Sequence, residues 1–105
     1  MSDINLPVSK IFLVLTLEIA NALDYATTKV ALEKGLEEAN PLAKAIMKWG
    51  WKKYQLLKFL LPQVLVAYAL SSEDPYYVNQ ASLAISSLAF GYAAINNLLI
   101  IRGLP

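Results

Sequence analysis

From Pro75 to Ile101 the chain runs about 27 residues without one charged side chain. About 20 predominantly apolar residues are enough to cross the bilayer core as a helix. A helix buries its own backbone hydrogen bonds, which is what hydrocarbon demands. Within the run, Asn79 and Gln80 near the start and Asn96 and Asn97 near the end are polar but uncharged. Leu83 to Ile101 has almost no polar face, which a helix of a soluble bundle would need.

Two further segments match it less cleanly. Lys53 to Leu70 is charge-free after Lys58. Its Pro62 would break a soluble helix, yet membrane helices tolerate proline where neighbours satisfy the freed carbonyl. The segment from Val8 to Lys34 is apolar from Ile11 to Leu17, after which Glu18, Asn21, Asp24, Thr27, Thr28 and Lys29 intrude. The expected fold is therefore all-α: three transmembrane helices at about 8–34, 53–71 and 76–101 in a single domain, 1–105. Composition supports lipid contact. The hydrophobic share is 57% and mean hydropathy is +0.46, whereas a small soluble domain has proportionally more surface to keep wet.

Turn chemistry fixes the connections. Pro7 suits a helix start, and Gly35 sits where a helix-ending left-handed residue belongs. Asn40-Pro41 is an N-cap followed by proline at the first helical position. The next residues put Leu42, Ala45, Ile46 and Trp49 on one face and Lys44 and Lys48 on the other. That pattern predicts a short interfacial helix over 41–49, between the first and second spans. Gly50 permits a turn there, although a helix running continuously through Gly50 is also compatible with the sequence. Ser71 to Pro75 reads as the loop before the third span.

Of nine Lys and Arg residues, seven lie between Lys29 and Lys58, while the loop at Ser71 to Pro75 carries only Glu73 and Asp74. The positive-inside bias then places the first connection and the C-terminus in the cytoplasm and the N-terminus outside, in the cell membrane. Trp49, Trp51 and Tyr54 would form the inner aromatic belt, and Tyr76 and Tyr77 the outer one. Met1 to Pro7 holds no cation and no small-residue cleavage site follows, so the first apolar segment is expected to remain in the mature protein.

Histidine and cysteine are both absent. Their absence removes thiolate and imidazole nucleophiles, disulfides and His- or Cys-based metal sites. With net charge +1 there is no basic field to suggest nucleic acid. The chemistry that remains lies in the first segment. At 100° per residue Glu18, Asn21, Tyr25 and Thr28 share one face, with Asp24 at its flank. Glu18 falls near mid-bilayer and Asp24 about 9 Å further toward the cytoplasm. A carboxylate at mid-bilayer costs on the order of 2.5–3.5 kcal/mol even on the lenient insertion scale, so such groups find a partner or face water. Two functions follow: an ion or proton path using Glu18 and Asp24, or internal pairing with Lys58, Gln63, Tyr68 or the Asn and Ser residues of the third helix. Lys58, at the same depth, is the best partner for Asp24. Contact with another subunit is a third outlet.

The third helix also carries small residues at four-residue spacing: Ser82/Ser86, Ser87/Gly91 and Ala89/Ala93. That spacing lets helix backbones approach closely, in cis or in trans.

Asn21-Ala22-Leu23-Asp24, then Thr27 or Thr28, Gly35, and Glu38-Ala39-Asn40-Pro41, with Lys58 early in the next span, resemble a family of small archaeal and bacterial membrane proteins. That family is catalogued as a domain of unknown function with the pattern N-x-x-D … G-x-x-E-x-N-P. The resemblance implies a multi-helix membrane domain of unestablished activity. Glu38, Asp24 and Lys58 would then gather near the helix start at Pro41, where unpaired N–H groups carry positive dipole. The cluster is either a clasp for the first connection or, less favoured, an Asp24–Glu38 carboxylate pair for Mg²⁺ or Ca²⁺.

The expected role is a structural or accessory subunit acting by helix packing, its partners being membrane lipid and other subunits or itself, with no nucleic acid. No enzyme activity, metal or cofactor is expected. A small ion or proton conductor is the alternative, and a metal-dependent membrane enzyme built on Asp24, Glu38 and Lys58 ranks last.

Overall fold

A computed structural model describes residues 8–38, 40–71 and 78–103. It is all-helical over those residues: α1 (Val8–Glu33), α2 (Pro41–Trp49), α3 (Trp51–Ser71) and α4 (Val78–Arg102). The long helices α1, α3 and α4 are each long and apolar enough to cross a membrane. At 1.5 Å per residue their 26, 21 and 25 residues reach about 39, 32 and 38 Å. The chain is thus a small membrane protein with one short helix between its first two spans. Pro7, the acidic loop residues Glu73 and Asp74, and Tyr76 and Tyr77 of the anticipated outer belt lie outside the described residues.

Each boundary has a local cause. Gly35 takes φ +89°, open to glycine and strained for a residue with a Cβ. The Leu36 N–H reaches the Ala31 carbonyl and the Gly35 N–H the Leu32 carbonyl, at 3.1 and 3.0 Å. These are the paired bonds of a Schellman ending, and they satisfy carbonyls that α1 would otherwise leave bare. Asn40 Oδ1 accepts from the Leu42 and Ala43 N–H groups, and Pro41 has no N–H to satisfy. Gly50, at φ +147°, breaks α2 from α3, so the continuous-helix alternative does not hold. Its carbonyl accepts from the Tyr54 N–H and opens α3.

α1 packs chiefly on α4, and α2 chiefly on α3. Ser9 Oγ donates to Gln80 Oε1 at 2.7 Å near one end of α1, and Asn97 meets Thr27 and Thr28 near the other. The two helices therefore run parallel, with α3 returning between those ends. Near the N-terminal half of α1 the core is apolar, made of Leu17, Ala69 and Leu83 with Val14, Leu65 and Phe90 packed around them. The flanks facing away stay apolar and exposed: Phe12, Leu15 and Ile19 on α1, Leu60 and Val64 on α3, Leu88 and Tyr92 on α4. On α2 the anticipated apolar face divides. Leu42 and Ile46 border a cleft in the protein, Leu42 remaining 70% exposed, whereas Ala45 is exposed and Trp49 is 73% exposed away from it.

Candidate functional site

The polar residues of α1 point inward, toward α3 and α4. Lys58 Nζ lies 2.6 Å from Asp24 Oδ2, with the two side chains only 10% and 13% exposed. Thr28 Oγ1 donates to the other carboxylate oxygen at 3.4 Å. Thr28 in turn accepts from Asn97 Nδ2 at 3.0 Å, as does Thr27 Oγ1. The two N–H bonds of Asn97 thus have two acceptors, and its 3.5 Å approach to Asp24 Oδ1 is a longer third contact. Lys58 Nζ also stands 3.9 Å from the centre of the Phe90 ring, whose face attracts a cation. One carboxylate, one ammonium and one aromatic face are thereby matched among three helices.

One turn away lies the consequence of Pro62. Proline has no N–H, so the Lys58 carbonyl four residues earlier loses its helical donor. Asn21 Nδ2 supplies the replacement at 3.0 Å. Asn21 is 1% exposed, so its amide has no water-facing alternative, and its Oδ1 has no partner among the described atoms. Further along, Gln63 Nε2 donates to Glu18 Oε1 at 2.8 Å. Glu18, Asn21 and Asp24 therefore bond to Gln63, to the Lys58 backbone and to the Lys58 side chain. Tyr25, on the same face, sits edge-on to Phe59 at 4.9 Å and beside Trp51 and Tyr54. Tyr68, another partner weighed for the carboxylates, is 62% exposed on α3.

The connection residues act close to home. Glu38 Oε1 accepts the Asn40 N–H at 2.9 Å, while Asn40 caps α2. Glu-x-Asn-Pro is thus a local device: proline sets the helical start, asparagine binds the next two N–H groups, and glutamate holds the asparagine backbone. Asp24 and Glu38 line the same cleft. No group of three or more acidic side chains among the described residues is arranged to hold a metal ion.

That cleft has a volume of about 730 Å³ and lies between α3 and α4 over α1, bordered at one end by α2 and the connection. The small residues of α4 divide around it. Ser87 is buried and donates to the Leu83 carbonyl, while Ser82 donates to the Val78 carbonyl. Ser86, Ala89 and Ala93 line the cleft. Gly91 looks elsewhere, and a Cβ built on it meets nothing within 4 Å. Sequence patterning singled out Lys58 and Gln63, noted Thr27 among the polar intrusions of the first helix, and offered the Asn residues of the third helix as partners without choosing Asn97; it did not single out Phe90. Phe90 carries no signal in a helix already rich in apolar residues, and Asn97 would have stood out only through its depth match with Asp24.

Two measurements probe this network. Asp24→Asn or Lys58→Met alone should cost about 3–5 kcal/mol in a denaturant titration, because each strands a buried charge. The Asp24→Leu/Lys58→Met double variant should lose less than either single change, and a purely additive loss would rule out the pairing. Asn21→Leu should cost about 1–3 kcal/mol by orphaning the Lys58 carbonyl. Adding Pro62→Ala, which returns the missing N–H, should recover most of that loss in the same titration.

No curated protein and no solved structure matches this chain. A family model described as a domain of unknown function (DUF5658) matches residues 13–103. Because that match takes in the polar face of α1, the capped connection, Lys58 and Asn97 alike, the chain belongs to the DUF5658 family, a domain of unknown function.

Proposed function

We propose that this protein is a structural or accessory membrane subunit that works by helix packing, in a homo-oligomer or a larger membrane complex. The observation that carries this reading is the internal pairing of both intramembrane carboxylates, Glu18 with Gln63 and Asp24 with Lys58. A proton or ion path through Glu18 and Asp24 would have to break those bonds at each passage, which gives the conducting alternative less support. With the polar face closed, the outward flanks of the spans are mainly apolar side chains, with one notch at Gly91. Close helix approach uses small residues of this kind. The chain would lie in the cell membrane with its N-terminus outside and its C-terminus and the lysine-rich connection in the cytoplasm, as the cation distribution favours.

Gly91→Leu tests the packing. With open space around the site, the monomer should keep its helicity and thermal midpoint. The association constant in mild detergent should fall roughly tenfold, the scale of one lost interhelical contact. A wild-type chain that stays monomeric and copurifies with no partner would sink the proposal, as would ion flux in liposomes that vanishes in Glu18→Gln. Orientation is read separately, since the chain has no cysteine. Lys48→Cys should react with an impermeant maleimide only in inside-out vesicles, and labelling of intact cells would reverse the topology.

A further inference from the structure

α3 and α4 meet only lightly, while α1 lies against α4 along its length. The slot left between them has Leu57, Leu61 and Leu65 on one wall and Ser86, Ala89 and Ala93 on the other. Those spacings of three and four residues place each set along one helix face, so the slot runs lengthwise with the helices. It is apolar for most of its length and polar at one end, where Asp24, Glu38, Tyr54, Lys58, Asn96 and Asn97 converge. Asn40, Leu42 and Ile46 line it beyond that point, where α2 crosses its end.

We propose that this slot holds one acyl chain of a lipid with a primary ammonium head, the chain lying between α3 and α4 and the ammonium beside Glu38. Three observations select that occupant. The first is size: about 730 Å³ falls within the roughly 300–1,000 Å³ of small-molecule sites. The second is closure, because a partner helix following the slot would run into α2, whereas a lipid chain ends where the head begins. The third is charge. Asp24 and Lys58 neutralise each other at 2.6 Å, and Glu37 is bridged to Lys44 at 3.5 Å. Of the three carboxylates lining the polar end, Glu38 is left with no cation among the described residues, its Oε1 engaged by the Asn40 N–H. A hydrogen-bonding cation complements that end, and an anionic head does not.

This inference is independent of the packing role. At 100° per residue Gly91 stands on the opposite side of α4 from Ala89 and Ala93, so either proposal can fail alone. The test incorporates the full-length protein into vesicles of equal phosphatidylethanolamine and phosphatidylglycerol, followed by native mass spectrometry of the released protein. The wild type should carry ethanolamine lipid over glycerol lipid by roughly fivefold, the scale of a single ion pair. Glu38→Gln, which keeps an acceptor for the Asn40 N–H, should bring that ratio to one. Ala93→Trp should fill the slot and remove both adducts; should it fail to fold by circular dichroism, the Glu38→Gln comparison decides by itself. Equal retention of the two lipids by the wild type, or a preference that survives Glu38→Gln, overturns the proposal. So does disulfide trapping of two copies carrying Ala89→Cys without any lipid adduct, which would put a second chain in the slot.

Discussion

The ion pair between Asp24 and Lys58 is the contact on which the rest of this fold depends. A carboxylate within a bilayer-crossing helix is tolerated only with a partner or with water. Here the partner comes from the next span, at 2.6 Å and nearly shielded from solvent. Bringing Lys58 to Asp24 fixes the height of α3 against α1, and the Phe90 ring behind the ammonium fixes α4 against both. Asn97 then ties α4 to Thr27 and Thr28 on the same turn of α1. Removing one member leaves the others buried with unmet bonding capacity, which is costlier than never having made the pair.

Pro62 and Asn21 form a second interlock of the same kind. The proline makes a defect in α3 at the Lys58 carbonyl, and an asparagine of α1 repairs it. A single residue of α3 is therefore held twice, its side chain by Asp24 and its backbone by Asn21. This double hold explains how three helices with a small apolar core of Leu17, Ala69 and Leu83 keep a defined register. Lipid supplies little hydrophobic drive for helix association, so specific bonds and close packing must set it.

Packing concentrated on the α1–α4 pair leaves α3 held lightly by both. The slot between α3 and α4 exists because α1 offers polar partners to both helices, while their own facing residues are mostly leucines and small side chains. The connection helix α2 then borders the slot at its polar end. Its place there follows from the capping of Glu38 and Asn40, which aims the chain across the bundle after the Gly35 turn.

Much of this was legible in the residues. The charge-free run after Pro75, the start at Asn40-Pro41, the ending at Gly35, and the shared face of Glu18 and Asn21 with Asp24 at its flank all follow from length, turn chemistry and a 100° period, whereas the break at Gly50 was decided only by the structure. The former are local properties, decided within one or two turns. Which donor meets which carboxylate is not local. Depth alone favoured Lys58 for Asp24, but Gln63, Tyr68 and several Asn and Ser residues all had suitable chemistry for Glu18, and only the relative height and rotation of the helices gave it Gln63. The role of Phe90, the repair of the Pro62 defect by Asn21, and the division of the small residues of α4 between core, slot and open face were likewise set by tertiary structure. The physical reason is that the sequence fixes what each side chain can bond to, whereas the choice among equal candidates depends on distances between helices that no single helix encodes.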